Sequence, residues 1–286
     1  MKILLLGSSG FLGSYLIKRL LNYKKFTVSQ SQRNDFIVMN DKVNFSDELK
    51  KKISQSDVCI NCIANTNFEK CDAEKENSLA NILIPSELIN LADDKKYFIH
   101  FSSDIFYDNC RNNSNENSIL NLNNSYAVQK KTSEDIFSNA NSIIIRTSFL
   151  GYNHRNSGLF NHILQSVINN KKIDGWENVY SSSVSIWHIV ELIISILNNE
   201  IRYNGIYNFG SNEPYSKFSY IESILKFFNK ENLINKIEFK PEHQKRNLNT
   251  GMISNKIKDD LNISLPTFDM VVEENIKDLK SILTKK

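Results

Sequence analysis

The first thirteen residues, Met-Lys-Ile-Leu-Leu-Leu-Gly-Ser-Ser-Gly-Phe-Leu-Gly, constrain the fold of this chain more than any other stretch. Four consecutive apolar residues at positions 3–6 read as a short buried strand. Gly7, Gly10 and Gly13 follow at three-residue spacing, and Ser14-Tyr-Leu-Ile-Lys-Arg-Leu-Leu reads as a helix. Strand, glycine turn and helix in that order predict a dinucleotide site. Gly7 suits the tight turn, Gly10 lets backbone approach a pyrophosphate, and Gly13 lets the helix pack close to the strand. The helix N-terminus then offers unpaired N–H groups and the positive end of its dipole to the phosphates.

Strands alternate with helices over residues 1–150. Strands are expected at 26–30, 58–64, 97–102 and 142–146. Helices are expected at 47–53 with Ser46 as N-cap, at 79–92 with an interruption near Pro85, and at 126–139. This alternation predicts an α/β fold, a Rossmann-like doubly wound parallel sheet with helices on both faces. The pattern changes after Gly151. Helices at 160–170, 186–198 and 219–228, a short strand at 205–210 and a last amphipathic helix ending near Leu283 predict a smaller C-terminal α/β lobe. No Gly/Pro/Ser linker separates the halves. An NAD(P)-binding domain at 1–150 and a substrate-binding lobe at 151–286 are therefore expected, with a diffuse boundary and some segments threading back.

The 286 residues are 41% hydrophobic and 23% charged, which specifies a globular chain. A net charge of +3 is too small to argue for nucleic acid or an anionic membrane as partner. No apolar stretch approaches the ~20 residues that span a bilayer. The apolar run at the N-terminus enters a glycine turn after four residues, unlike a secretory signal. A soluble, cytoplasmic protein is expected. Cys59 and Cys62 fall on a strand pattern, where residues three apart face opposite sides, and no second pair completes a metal site. Reduced, buried thiols and no metal are expected.

Three further signals bear on chemistry. The segment after the second strand, Ser29-Gln-Ser-Gln-Arg-Asn-Asp, has no acid at the strand end, where an acid would read the ribose of NAD. Arg33 just beyond can pair with a 2′-phosphate, so NADPH is favoured, and nearby Asp35 keeps NADH open. Tyr126-Ala-Val-Gln-Lys130 places a phenol and an ammonium on one helix face. The ammonium lowers the phenol pKa and can hydrogen-bond a nicotinamide ribose. Phe101-Ser102-Ser103-Asp104 ends a strand on the side where ligands of open α/β sheets bind, and a serine hydroxyl there can polarise a carbonyl. Arg146 reads equally well as the partner of a core carboxylate or as a substrate contact. His100 and His188 read as structural.

In this order and spacing the motifs resemble the extended short-chain dehydrogenase/reductase family, and within it the dTDP-4-dehydrorhamnose reductases. The segments starting Asn61-Cys-Ile-Ala-Asn-Thr-Asn, Ala80-Asn81, Phe98-Ile-His-Phe-Ser-Ser-Asp, Ile145-Arg-Thr-Ser-Phe and Arg246-Asn-Leu-Asn-Thr carry the likeness almost end to end. The resemblance implies reduction by NADPH of the C4 ketone of a nucleoside-diphosphate 4-keto-6-deoxy sugar, in deoxysugar and cell-surface polysaccharide synthesis. It implies that Tyr126 is the general acid, that Lys130 holds the ribose and tunes Tyr126, and that Ser103 hydrogen-bonds the carbonyl. Gly7, Gly10, Phe11 and Leu12 would line the pyrophosphate, Arg33 would read the 2′-phosphate, and Ala64 and Asn65 would pass beside ribose and phosphates. Asp104, Phe149 and Arg246 would face the substrate. Members of the family often dimerise, but no apolar stripe in the sequence assigns a homodimer. A sugar-nucleotide epimerase on the same fold, and a non-catalytic NADP-binding regulatory subunit, stay open as alternatives. Cys62-Ile63 in place of two alanines, Asn44-Phe-Ser-Asp near the adenine, and Ser181-Ser-Ser-Val-Ser in the substrate lobe depart from the family pattern.

Overall fold

The computed structural model describes residues 1–39, 42–108, 113–199, 201–240 and 247–284. Its central sheet has six strands. β1 (Lys2–Leu6) pairs in parallel with β2 (Thr27–Gln30) on one side and β3 (Val58–Asn61) on the other. β4 (Tyr97–Phe101) and β5 (Ser142–Arg146) extend the sheet in parallel, and β6 (Gly205–Asn208) completes the order β2-β1-β3-β4-β5-β6. Every residue of β3, β4 and β5 is buried, as expected for parallel strands covered on both faces. The helices preceding or joining these strands are α1 (Phe11–Leu20), α2 (Asp47–Gln55), α3 (Phe68–Glu74), α4 (Ile84–Asn90) and α5 (Ser125–Ser138). On one face Leu4, Leu6, Cys59, Phe98 and Ile144 share a core with Leu49 and Ile53 of α2, Leu88 of α4 and Phe137 of α5. Each fully buried Leu or Ile contributes roughly 2 kcal/mol.

The chain leaves β1 to one side to make β2 and returns on the other side to make β3. The crevice at the carboxyl ends of β1 and β3 is therefore the topological switch point, where such sheets bind ligands. The glycine turn sits there.

Two local differences from expectation have simple causes. The strand expected at 58–64 ends at Asn61. Its neighbour β1 ends at Leu6, whose carbonyl accepts the last ladder bond from Cys62 N–H at 3.0 Å before Gly7 turns away. The helix expected at 79–92 is a π-helical turn, Leu79–Leu83, running into α4, with Pro85 in the first turn of α4. The helix is already formed before Pro85, Ile84 N–H bonding back to Leu79 O, so the proline omits one bond of a continuous helix just where the wider π-helical turn ends. The irregularity thus precedes Pro85.

The chain divides into two compact units. The first comprises residues 1–103, 122–146 and 193–207, and the second comprises 104–121, 147–192 and 208–286. The units interleave on both sides of residue 150: residues 104–121 join the second unit, and 193–207, which carry most of β6, join the first. The core of the second unit gathers Phe160 and Ile163 from α6 (Leu159–Asn169), Tyr220, Ile221 and Ile224 from α8 (Lys217–Phe227), and Val271 from α10 (Phe268–Leu283). Between these helices in sequence lie α7 (Ile186–Asn198) and α9 (Asn255–Leu261). A small sheet of the same unit places Tyr180–Ser181 between Tyr215–Ser216 and Asn249–Thr250. No helix among the described residues is long and apolar enough to cross a membrane.

Candidate active site

The first unit holds the glycine turn. Gly7 has φ +80°, and a Cβ there would lie 3.0 Å from the Cys62 carbonyl carbon and from the Ile63 side chain. A Cβ on Gly13 would lie 2.1 Å from Gly7 O. Gly13 has no room for a side chain, and at Gly7 one would be strained by the positive φ and crowded by its neighbours. Phe11 and Leu12 open α1. Leu12 is 5% exposed, its side chain in the core, so only its backbone is offered to a phosphate.

At the carboxyl end of β3, Ala64 is exposed and Asn65 half-buried. The Asn65 backbone is clamped on both sides by one residue of the π-helical turn. Asn65 N–H donates to Asn81 Oδ1 at 3.0 Å, and Asn81 Nδ2 donates to Asn65 O at 2.9 Å. The second Asn81 amide hydrogen goes to Gln129 Oε1 at 2.8 Å, and Gln129 Nε2 donates to the carbonyls of Cys71 and Lys75. All amide hydrogens of Asn81 are thereby used. Asn65 Nδ2, by contrast, is buried with no partner. A glycine cradle that a side chain would fill and an orphaned amide nitrogen at the same edge of the sheet fit a dinucleotide. Sequence reading noted Asn81 only within the family likeness and missed Gln129.

Lys130 and Tyr126 lie on α5, capped by Asn124, whose side chain accepts from Ala127 N at 2.8 Å. Lys130 is 2% exposed and donates to Phe101 O at 2.7 Å. It is therefore stitched to the end of β4, two residues before the buried Ser103. Burial pulls its ammonium down to about 8, against the opposing pull of Glu134. Tyr126, one turn earlier on the same face, is half-buried, its ring 5.7 Å from that of Phe68 on α3. Behind this face the imidazole of His100 stacks on Phe137 at 4.1 Å and bonds Ser133 Oγ through Nε2 at 2.9 Å. Burial pushes His100 well below its ordinary range, so it is a neutral structural group. Arg146 pairs with a core carboxylate, Glu134, which settles the alternative left open by the sequence.

Arg33 is exposed in the turn after β2. The nearby acid is otherwise engaged: Asp35 is buried and accepts from Gln32 N and Ser46 Oγ, each at 2.7 Å. It belongs to the turn and is withheld from a ribose. Ser46 also caps α2, as expected, by accepting from Leu49 N.

The second unit holds Asp104 and Phe149. Asp104 lines a cavity of about 170 Å³ with Ser181, Ser183, Tyr215, Lys217 and Thr250. Its carboxylate accepts from Thr250 Oγ1 at 2.6 Å. Hydroxyls run along one wall: Ser183 Oγ lies 2.9 Å from Ser148 Oγ and 2.8 Å from Ser181 Oγ, and Tyr215 OH donates to Ser183 O. Phe149 is half-buried in a strand pairing with Val184 and does not line this cavity. His188 accepts from Ser185 N at 3.2 Å at the start of α7, a capping role. Burial holds it down to about 4. Arg246, with His243 and Lys245, lies outside the described residues, as does Cys110.

A family model described as the RmlD substrate binding domain matches residues 1–281. Among solved structures, a dTDP-4-dehydrorhamnose reductase from Clostridium acetobutylicum superposes with TM-score 0.84 at 17% identity, covering 98% of this chain and 100% of that one. A dTDP-4-dehydrorhamnose reductase from Bacillus anthracis in complex with NADP gives 0.82 at 15% identity, covering 97% and 99%. A UDP-glucuronic acid 4-epimerase from Bacillus cereus gives 0.79 at 17% identity, covering 99% and 100%. No curated protein matches the chain. The glycine turn, the parallel sheet and a family match spanning nearly every residue lead to one assignment: the chain belongs to the RmlD substrate binding domain family.

Proposed function

We propose that the protein is an NADPH-dependent reductase of the C4 ketone of a nucleoside-diphosphate 4-keto-6-deoxy sugar, of the dTDP-4-dehydrorhamnose reductase kind. One observation carries the reading. A fully buried lysine, Lys130, is fixed to the last residue of β4, two residues before Ser103, and stands one helical turn from Tyr126. Gly7, Gly10, Phe11, Leu12 and Asn65 would hold the dinucleotide, and exposed Arg33 would meet its 2′-phosphate. The sequestration of Asp35 supports NADPH over NADH. Bound NADPH would supply hydride to the ketone carbon.

The chain's own residues manage the oxygen. Ser103 Oγ and Tyr126 OH donate hydrogen bonds to the carbonyl oxygen as negative charge grows on it, and Tyr126 passes its proton to that oxygen. Lys130, charged and dry, lowers the phenol pKa and donates to the nicotinamide ribose. Asp104 follows Ser103 directly in the chain and lines the hydroxyl-rich cavity of the second unit, whose chemistry suits a sugar or base with Lys217 as its cation. The likeness to a reductase solved with NADP supports the cofactor reading.

Tyr126→Phe keeps the ring against Phe68 and removes the proton. It is expected to lower kcat by about 10²–10⁴-fold while the NADPH dissociation constant, read by cofactor fluorescence, stays near the wild-type value. An unchanged kcat would contradict the assignment of Tyr126 as acid.

A further inference from the structure

Glu134 lies one turn beyond Lys130 and two beyond Tyr126 on α5, so the three share a helix face. Its carboxylate is completely buried, and Arg146, the last residue of β5, is 2% exposed. The two meet as a fork, Arg146 Nε to Oε1 at 2.8 Å and the terminal nitrogen to Oε2 at 2.7 Å. A buried pair of this kind adds little net stability, because desolvation cancels much of the attraction and apolar replacements of equal volume do as well. Its position next to Lys130 gives it another use.

Charged or titratable groups bear on Lys130 from several elements: Glu134 from its own helix, Cys71 from α3, His100 from β4, and Arg146 of β5 through its pair with Glu134. Burial pushes the Cys71 thiol up to about 11 and His100 well below its ordinary range. Both are uncharged around neutral pH. Among these groups Glu134 is then the standing negative charge, and Arg146 fixes where it stands.

We propose that Glu134 is a positioning residue for the reduction: held by Arg146, it keeps Lys130 cationic in a dry interior and so keeps Tyr126 an effective proton donor. The second half of this statement rests on the reductase reading, and the first half does not.

The test is a titration of Lys130 itself. In protein carrying ¹³C-labelled lysine, the Lys130 Cε resonance is assigned by its loss in Lys130→Met, and its midpoint is expected at about 8. Glu134→Gln keeps the side-chain shape and removes the charge. It is expected to lower the midpoint by about one pH unit or more, and to move the alkaline limb of kcat the same way. Glu134→Asp keeps the charge and is expected to hold the midpoint near wild type. Where Glu134→Gln does not fold, Glu134→Gln/Arg146→Met removes both charges together, and a smaller downward move is expected, because loss of the Arg146 cation offsets part of the loss of the anion.

An unmoved midpoint in the charge-removing variant overturns the proposal even where activity falls, since a merely structural role would lower activity without shifting the titration. If wild-type protein consumes no NADPH, the reductase reading fails by itself. The midpoints still decide whether Glu134 holds the charge on Lys130.

Discussion

A cation such as Lys130 costs the fold something. Its ammonium falls from an ordinary 10.5 to about 8, which corresponds to about 3 kcal/mol. The sign follows from proton counting. Between about 8 and 10.5 the unfolded chain binds the proton and the folded chain does not, so stability rises with pH across that window. Below about 8 the full penalty applies. Lys130→Met removes this cost but leaves the Phe101 carbonyl without its partner, a loss of about 1 kcal/mol. The cofactor-free variant is therefore expected to melt higher than wild type at pH 7, by a margin that shrinks towards pH 10, while losing reductase activity. Calorimetry at the two pH values checks this. A lower Tm at pH 7 would show that Lys130 stabilises the fold and is not held there at its expense.

At the scale of elements, the junction of β1 with α1 is the tightest feature. A methyl group on Gly13 would meet Gly7 O at 2.1 Å and the Ser8 Cα at 2.8 Å, both backbone atoms that cannot rotate away. Gly13→Ala must therefore push α1 off the strand, at a cost of about 3 kcal/mol, and spoil the phosphate cradle. A lowered Tm together with weakened NADPH binding is expected, and wild-type affinity in this variant would move the cofactor elsewhere. This junction was legible because its signal is local: a strand, three glycines and a helix within some twenty positions. The same holds for Tyr126 and Lys130, four apart on one helix. The clamp of Asn81 on Asn65 was not legible, since Asn81 and Gln129 stand 48 positions apart and meet only through a π-helical turn. Nor could the sequence choose a partner for Arg146, because Glu134 lies on another element whose register against β5 is a tertiary fact.

For the whole molecule, the order of the sheet matters more than the composition of its halves. β6, residues 205–208, lies within the short strand expected at 205–210, but it joins the main sheet and not the C-terminal lobe, and 193–207 belong to the first unit. A fragment ending at residue 150 would leave β5 as a bare edge, its row of N–H and C=O groups unpaired. It is expected to be aggregation-prone and to lack the sharp near-ultraviolet dichroism of a packed core; a well-packed, monomeric fragment would refute this. The second unit was the less legible half. Its short strands and the cavity wall of Ser148, Ser181 and Ser183 are assembled from separate segments, and side chains that meet only in the folded cavity carry no periodic signal. The central claim for the whole chain is ketone reduction by NADPH. The most direct measurement is NADPH absorbance with dTDP-4-keto-6-deoxyglucose, alone and with a 3,5-epimerase. Absorbance is predicted to decay, with the epimerase for an L-rhamnose-type product and without it for a D-sugar product. Constant absorbance in both, and with the corresponding UDP and GDP sugars, would contradict the claim.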